Sequence, residues 1–307
     1  MEDKYTRITL RIPRELHAQL ELESDKTSKS LNAEIVARLE QSFSGLSSRK
    51  IEIANRLQRL LDEINRAKRG HFERPSHLAQ AIGEDNMEHV EGWFLGTIEP
   101  TFDQLNKIAT HYGIEAPWLI HGDGTIFKVK AFPKEKFLGE PKVALDWLYL
   151  WDEESPGIQA HAVRFVRESS DVGSLIIVKE SESGLTKTFT TTYHVSEHIG
   201  SSGESDLARL FLIFELMFRD RGSRYPFCAF YILDPVEFAA LRAGNTHPIY
   251  ILNHNLSSTW GEDIWDENIP NKYWNGFKEL RERILNVIEK RTQLREIRDS
   301  IRLNYPD

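Results

Sequence analysis

Cysteine is nearly absent from this chain: Cys228 is the single one in 307 residues. One thiol excludes an internal disulfide and a zinc cage built from several cysteines, and its apolar setting, "YPFCAFYIL", points to a buried, inert side chain. Long apolar runs are missing too. None approaches the roughly eighteen residues that a membrane-spanning helix needs, and Met1 to Lys4 lacks the charged-then-apolar order of an export signal, so a cytoplasmic protein is expected. Positive charge is in deficit, with 39 Lys and Arg against 47 Asp and Glu and a net charge of −8. Residues 1–50 hold 9 against 8, residues 51–130 hold 9 against 12 and residues 131–307 hold 21 against 27, which together make the 39 and 47. The acidity therefore gathers in the C-terminal part. A locally basic segment keeps its capacity for nucleic acid whatever the whole-chain charge.

What is present suffices for several cores. The chain is too long for one average domain, and 40% of its residues are hydrophobic, so two or three compact units are expected. The first is announced by "ITLRIPREL", residues 8–16. Strand side chains alternate between faces, which puts Ile8, Leu10 and Ile12 on an apolar side and Arg7, Thr9 and Arg11 on the other. Pro13 then suits a first helical turn, and Leu16 and Leu20 stand one turn apart in "RELHAQLELE". "SDKTSK" reads as a polar loop. Ser30 caps a second helix, "SLNAEIVARLEQSF", with Leu31, Ile35, Leu39 and Phe43 at helical spacing. One strand and two short helices leave backbone groups unpaired and little core, so this unit needs a partner, most simply the same strand of a second chain.

Residues 5–43 resemble the Arc-like ribbon-helix-helix DNA-binding domains, through "ITLRIPREL" followed by the "S-x-N-x-E-I" start of the second helix. The resemblance implies a homodimer whose two-stranded ribbon enters the major groove of double-stranded DNA. It implies base contacts from Arg7, Thr9 and Arg11, phosphate contacts from Ser30, Leu31 and Asn32, and a dimer core of Ile8, Leu10, Ile12, Glu34 and Arg38. Lys29, Glu34 and Arg38 fall where that family carries a buried Arg-Glu-Arg triad. Lysine in the first place lacks the bidentate fork of arginine. The alternative is that the Arg-Thr-Arg face is only a solvated strand face.

"SGLSSRK", residues 44–50, reads as a linker, after which "IEIANRLQRLLDEINRA" shows one apolar helical face. Short helices follow in "PSHLAQAIG", "NMEHVEGWFLG" and "TFDQLNKIATHYG", with glycine stops and a threonine cap. Residues 54–127 resemble the lambda-repressor-like (Cro/CI, XRE type) helix-turn-helix domains, clearest in "LAQAIG", "PTFDQLNKIA" and "WLIHGDG". The resemblance makes the helix near Asn86 to Leu95 the groove helix and Asn86, Met87 and His89 a second DNA site. Glu84, Asp85, Glu88 and Glu91 make that segment acidic, which repels phosphate. A helical unit kept for dimerisation or partner binding is the competing reading, in which Arg66, Lys68, Arg69, His71 and Arg74 still touch the backbone of DNA.

"KAFPKEKFLGEP" reads as a connector to a third unit. There "GIQAHAVRFVRE", "GSLIIVKES", "TKTFTTTYHV", "YPFCAFYIL" and "HPIYIL" read as strands, while "SDLARLFLIFELMFRD" and "PVEFAALRAG" read as helices. The last segment, from Phe277 to Leu294 and beyond, reads as a long terminal helix with Arg291 interrupting its seam, packed on the domain or paired as a coiled coil. The fold class expected is thus multidomain: ribbon-helix-helix at 1–46, all-α helix-turn-helix at 51–130, and an α+β unit at 137–307.

No enzyme is expected. Residues 131–307 show no paired acids, phosphate loop or nucleophile with its base, and "LIIVKES" places its lysine before its glutamate, against the acid-x-Lys order of a magnesium nuclease. His194 and His198 are four apart, but on a strand, where that spacing does not align ligands, and with His254 they read as ordinary histidines rather than a metal site. Trp260, Trp265 and Trp274 read as core, and "WGEDIWDE" as a solvated acidic loop. No cofactor and no metal are expected. The function expected is a bacterial or phage transcriptional regulator, a repressor by family default, binding a pseudo-palindromic operator as a homodimer or higher oligomer. Its C-terminal unit would take a small-molecule or protein effector. The alternative is an antitoxin or defence-system control protein that autoregulates its promoter and binds a partner through its C-terminal half.

Overall fold

The structure is a computed structural model that describes residues 9–27, 29–45, 49–68, 70, 72–151, 158–220, 226–270 and 272–306. The N-terminal unit holds α1 (Arg14–Thr27) packed on α2 (Leu31–Gly45). The strand expected before it is only partly within the described residues, since Arg7 and Ile8 lie outside them. Residues 9–13 form no strand, and of the expected dimer core Leu10 is 61% exposed while Ile12 is half-buried. A lone chain offers this segment no ladder partner, and a single strand cannot satisfy its own backbone. The polar loop expected from Ser24 onward is instead the last turn of α1. Ser24 Oγ donates to Glu21 O at 2.9 Å and Thr27 Oγ1 to Glu23 O at 3.0 Å, so these hydroxyls bond back into the helix. The linker expected over 44–50 also shrinks, because α2 runs to Gly45 and the next helix begins at Arg49.

The second unit packs α3 (Arg49–Ala67), α4 (Pro75–Ile82), α5 (Met87–Leu95), α6 (Phe102–Tyr112) and α7 (Ala116–His121) around Leu57, Leu78, Trp93, Ile108 and Leu119. Local chemistry sets the limits of these helices. Asn86 caps α5 by accepting from Glu88 N, Thr101 and Gln104 form a reciprocal capping box on α6, and α4, α5 and α6 each end on a left-handed glycine.

The C-terminal unit is a mixed five-stranded sheet with helices on both faces. Its strands β1 (Val129–Ala131), β2 (Ala162–Glu168), β3 (Ser174–Glu180), β4 (Thr186–His194) and β5 (Phe227–Leu233) lie in the order β1-β4-β3-β2-β5. The β2-β3 and β3-β4 pairs are antiparallel, whereas β1 runs parallel to β4 and β5 parallel to β2. "KAFPKEKFLGEP" is not a spacer: it supplies part of β1 and the buried Phe132 and Phe137. Period-two alternation explains why the central strands read as unbroken apolar runs. Val163, Phe165, Leu175 and Ile177 enter one core, while Val166, Ile176 and Val178 enter the other.

On the first face lie α8 (Pro141–Tyr149) and α9 (Ser201–Arg219), the latter apolar nearly all round because it is buried between the sheet and further helices. On the second lie α10 (Pro235–Ala243) and α11 (Pro248–Asn253). The segment "HPIYIL" was expected as a strand and is the helix α11. Its β-branched run is overridden by Pro248 at the first turn and by the His247 side chain, which accepts from Ile249 N at 3.2 Å. After the short α12 (Trp260–Asp263), the expected long terminal helix is two: α13 (Phe277–Lys290) and α14 (Thr292–Asn304). Arg291 adopts an extended conformation between them, φ −99° and ψ 108°. The break returns α14 to α9, where Leu294 and Ile301 are buried and Arg298 Nε meets Glu215 Oε2 at 2.9 Å. Phe277, Leu280 and Ile284 are thereby spent in the core of their own chain.

The helical and sheet units touch directly. His247 N donates to Glu63 Oε2 at 2.8 Å, Arg66 stacks on the Tyr250 ring at 3.9 Å, and Phe127 N donates to Gly244 O at 2.8 Å. Gly244 has φ +67°, and a Cβ there would stand 2.6 Å from Phe127 O, so both the turn and the approach of the two units need glycine.

Candidate nucleic-acid interface

Ser30 precedes helix α2 and caps it, its Oγ accepting from Ala33 N at 3.2 Å. Helix geometry leaves the first backbone N–H groups, those of Leu31 and Asn32, without intrahelical acceptors. They form a donor pair suited to an anion, with Ser30 and Asn32 exposed and Leu31 half-buried. Thr9 and Arg11 are exposed on the segment ahead of α1, and Arg7 lies outside the described residues.

Between the two helices sits a charge network. Glu34 is buried and accepts from Arg38 Nε at 2.9 Å and from Thr27 Oγ1 at 3.3 Å, with Lys29 Nζ at 4.0 Å. The hydrogen bond from Arg38 holds the Glu34 carboxyl below the usual carboxylate range. Arg38 itself is exposed, so in the single chain only the glutamate of this set is buried. Leu16, Leu22, Val36 and Leu39 are exposed on the same two helices. Apolar side chains exposed together on so small a unit are the kind of surface that a partner can cover.

The second sequence-derived site lies on α5. Asn86, Met87 and His89 are exposed side by side with Glu88 and Glu91, while Val90, Trp93 and Phe94 fill the core. Glu84 is held by Gln104 Nε2 at 2.9 Å. The outward face therefore couples one histidine and one amide to carboxylates. Of the basic residues expected to touch DNA backbone, Arg66 is engaged by Glu63 and Tyr250, and Lys68 by Glu73. Arg74 is exposed, and Arg69 and His71 lie outside the described residues.

In the C-terminal unit Lys179, Asp263 and Trp260, weighed above for chemistry, have structural partners. Lys179 is buried and donates to Trp147 O and, at 2.9 Å, to Leu150 O, so its ammonium caps the C-terminal end of α8. In "WGEDIWDE", Asp263 is buried rather than solvated and accepts from Tyr273 and Thr259. Trp260 is in the core and donates to Tyr231 O at 3.2 Å. Burial pushes the Cys228 thiol up to about 12, far from the thiolate a nucleophile needs. Among the described residues no three His, Cys, Asp or Glu side chains gather as a metal-ligand set.

Sequence reasoning missed the junction of the two larger units. A cavity of about 490 Å³ opens there, lined from α3, α4, α6, the β3-β4 turn and the start of α11. Its wall includes His247, which burial pushes down to about 4. Since the unfolded histidine titrates near 6.5, it binds a proton between pH 6.5 and 4 that the folded form refuses. That part of the stability is complete above pH 6.5 and is lost as the pH falls toward 4. Replacing His247 with Phe is expected to flatten this part of the stability curve, measured by urea denaturation at half-unit pH steps.

Residues 3–48 match the family model described as "Arc-like DNA binding domain". The chain thus carries a DNA-binding domain of the ribbon-helix-helix kind at its N-terminal end, which supports a DNA-binding regulator. No curated protein and no solved structure matches the chain. No helix among the described residues is long and apolar enough to cross a membrane.

Proposed function

We propose that this chain is a sequence-specific transcriptional regulator, a repressor by occupation of a promoter, that binds a pseudo-palindromic operator as a dimer. The Arc-like match over residues 3–48 carries the reading. The exposure of Leu10, Leu16, Val36 and Leu39 in the single chain supports the dimer, because two copies pairing their N-terminal segments would cover this surface and supply the missing ladder. In that assembly Arg7 and Arg11 bridge guanine O6 and N7, Thr9 reads a neighbouring base, and the start of α2 takes a phosphate on Ser30, Leu31 and Asn32.

The five-helix unit is proposed to be of the helix-turn-helix class. With carboxylates on the outward face of α5, we assign it to a supporting or partner-binding role, and the ribbon remains the reader. The sheet unit, joined to it through Glu63, Arg66 and Gly244, receives the effector. The chain acts by binding rather than catalysis, and Lys179, Asp263 and Cys228 are engaged in the fold. Arg11→Ala is expected to weaken operator binding by roughly 1–3 kcal/mol and to relax preference at one base pair of each half-site. A footprinting titration on a site selected from random DNA measures it, and unchanged affinity removes Arg11 from the base-reading face.

A further inference from the structure

The cavity between the helical and sheet units has a definite chemistry. Two carboxylates line it from opposite units, Glu73 ahead of α4 and Glu180 at the end of β3. Each is held by a cation on one oxygen only: Lys68 meets Glu73 Oε2, and Arg164 Nη2 meets Glu180 Oε2 at 2.6 Å. The other oxygen of each has no partner among the described residues. Lys68 is the only cationic side chain among the described lining residues and is already engaged, so what the cavity offers a ligand from these two ion pairs is the second, acceptor oxygen of each carboxylate rather than a free cation. Burial disfavours the cationic form of both histidines of the wall, His111 and His247. Most of the rest is apolar, from Ile64, Leu185 and Ile249, with the Ser183 hydroxyl, held by Ser181 Oγ at 2.9 Å, and the Tyr112 ring, whose buried hydroxyl has no hydrogen-bond partner.

We propose that this cavity is a binding site for a small organic cation, a primary ammonium on an apolar aromatic or alkyl body, with the ammonium between Glu73 and Glu180. An ammonium donates three hydrogen bonds and accepts none, which suits two half-satisfied carboxylates, and the apolar body is matched by the aliphatic wall. The volume falls within the range usual for small-molecule sites. This deepens the effector reading of the C-terminal unit and rests on it. Glu73 also supplies a route to the rest of the molecule: Asn65 brackets its backbone, accepting from Glu73 N at 2.6 Å and donating to Glu73 O at 3.0 Å. A ligand on this carboxylate thus acts on the α3-α4 connection, which carries Lys68 and Arg74.

The test uses the full-length chain with tryptamine as probe and indole-3-acetate as its charge-reversed counterpart, followed by thermal unfolding and titration calorimetry. Tryptamine is expected to raise the unfolding temperature at millimolar concentration and indole-3-acetate to leave it unchanged. Glu180→Gln, which keeps an oxygen for Arg164, and Glu73→Gln are each expected to weaken tryptamine roughly tenfold or more. The proposal is overturned if tryptamine does not bind, if both probes bind alike, or if both variants bind tryptamine as the parent does. DNA binding of the ligand-free chain, measured on the same samples, reports separately on the regulator: its absence would sink that reading and leave the cation site standing.

Discussion

Leu10→Asp is expected to convert the chain to a monomer and abolish operator binding. Leu10 is 61% exposed in the single chain, on a segment whose backbone has no ladder partner, and α1 and α2 expose further leucines beside it. A ribbon shared by two copies would bury it twice, once in each protomer. Losing two such side chains removes roughly 3–6 kcal/mol of burial, and an aspartate in their place adds the cost of a desolvated carboxylate. Dimerisation should weaken by two orders of magnitude or more. Sedimentation equilibrium across a concentration series measures this directly. Because the larger units fold on their own cores, the variant should keep its helical circular dichroism signal. A Leu10→Asp chain that stays dimeric would place the subunit contact elsewhere.

A comparable effect on stability is expected at Glu215, on the face of α9 turned away from the sheet. Its carboxylate is 1% exposed and takes Arg298 at 2.9 Å, Arg302 at 2.7 Å and Arg219 at 3.2 Å. Arg298 is itself buried, donates on to Glu289 and Trp265 O, and lies on α14, which the break at Arg291 has folded back. Glu215→Ala leaves that guanidinium buried without its main anion, at a cost of roughly 3–5 kcal/mol. The loss should appear as a lower urea midpoint for the whole chain. Pairing Glu215→Met with Arg298→Met should recover only part of it, since the buried Arg298 charge is gone but Arg219, with its side chain 10% exposed, still loses its carboxylate.

These two sites were not equally legible in the sequence. The alternation of "ITLRIPREL", its proline and the Ser30 cap are local signals, each acting within a few residues, and they pointed to the N-terminal unit directly. The glycine stops of α4 to α6, the apolar runs of β2, β3 and β5 and the β-branched threonines of β4 were legible for the same reason. Misreadings came where a distant partner or a short cap decided the outcome. "HPIYIL" has the composition of a strand, but His247 and Pro248 start a helix. The terminal segment has helical periodicity on both sides of Arg291, and its fold-back depends on Glu215, which sits on another helix. The polar residues Ser24 and Thr27 belong to α1 because their hydroxyls bond into it.

The cavity at Glu73 and Glu180 could not be read locally at all. Its acids are more than a hundred positions apart in the chain, Glu73 in a polar helix connection and Glu180 at the end of an apolar strand, and neither sequence points to the other. Only the docking of α11 on α3 and of the β3-β4 turn near α6 brings them into one wall.

In the proposed function the N-terminal ribbon reads DNA sequence. Mapping of binding sites across a genome, with the intact chain and with Arg7 and Arg11 both changed to alanine, tests it most directly. A limited set of sites is expected for the intact chain, related by a shared inverted repeat, and their loss in the double variant while its unfolding curve stays unchanged. If the double variant keeps the same sites, the ribbon is not the reader, and the outward face of α5, with Asn86, Met87 and His89, takes its place.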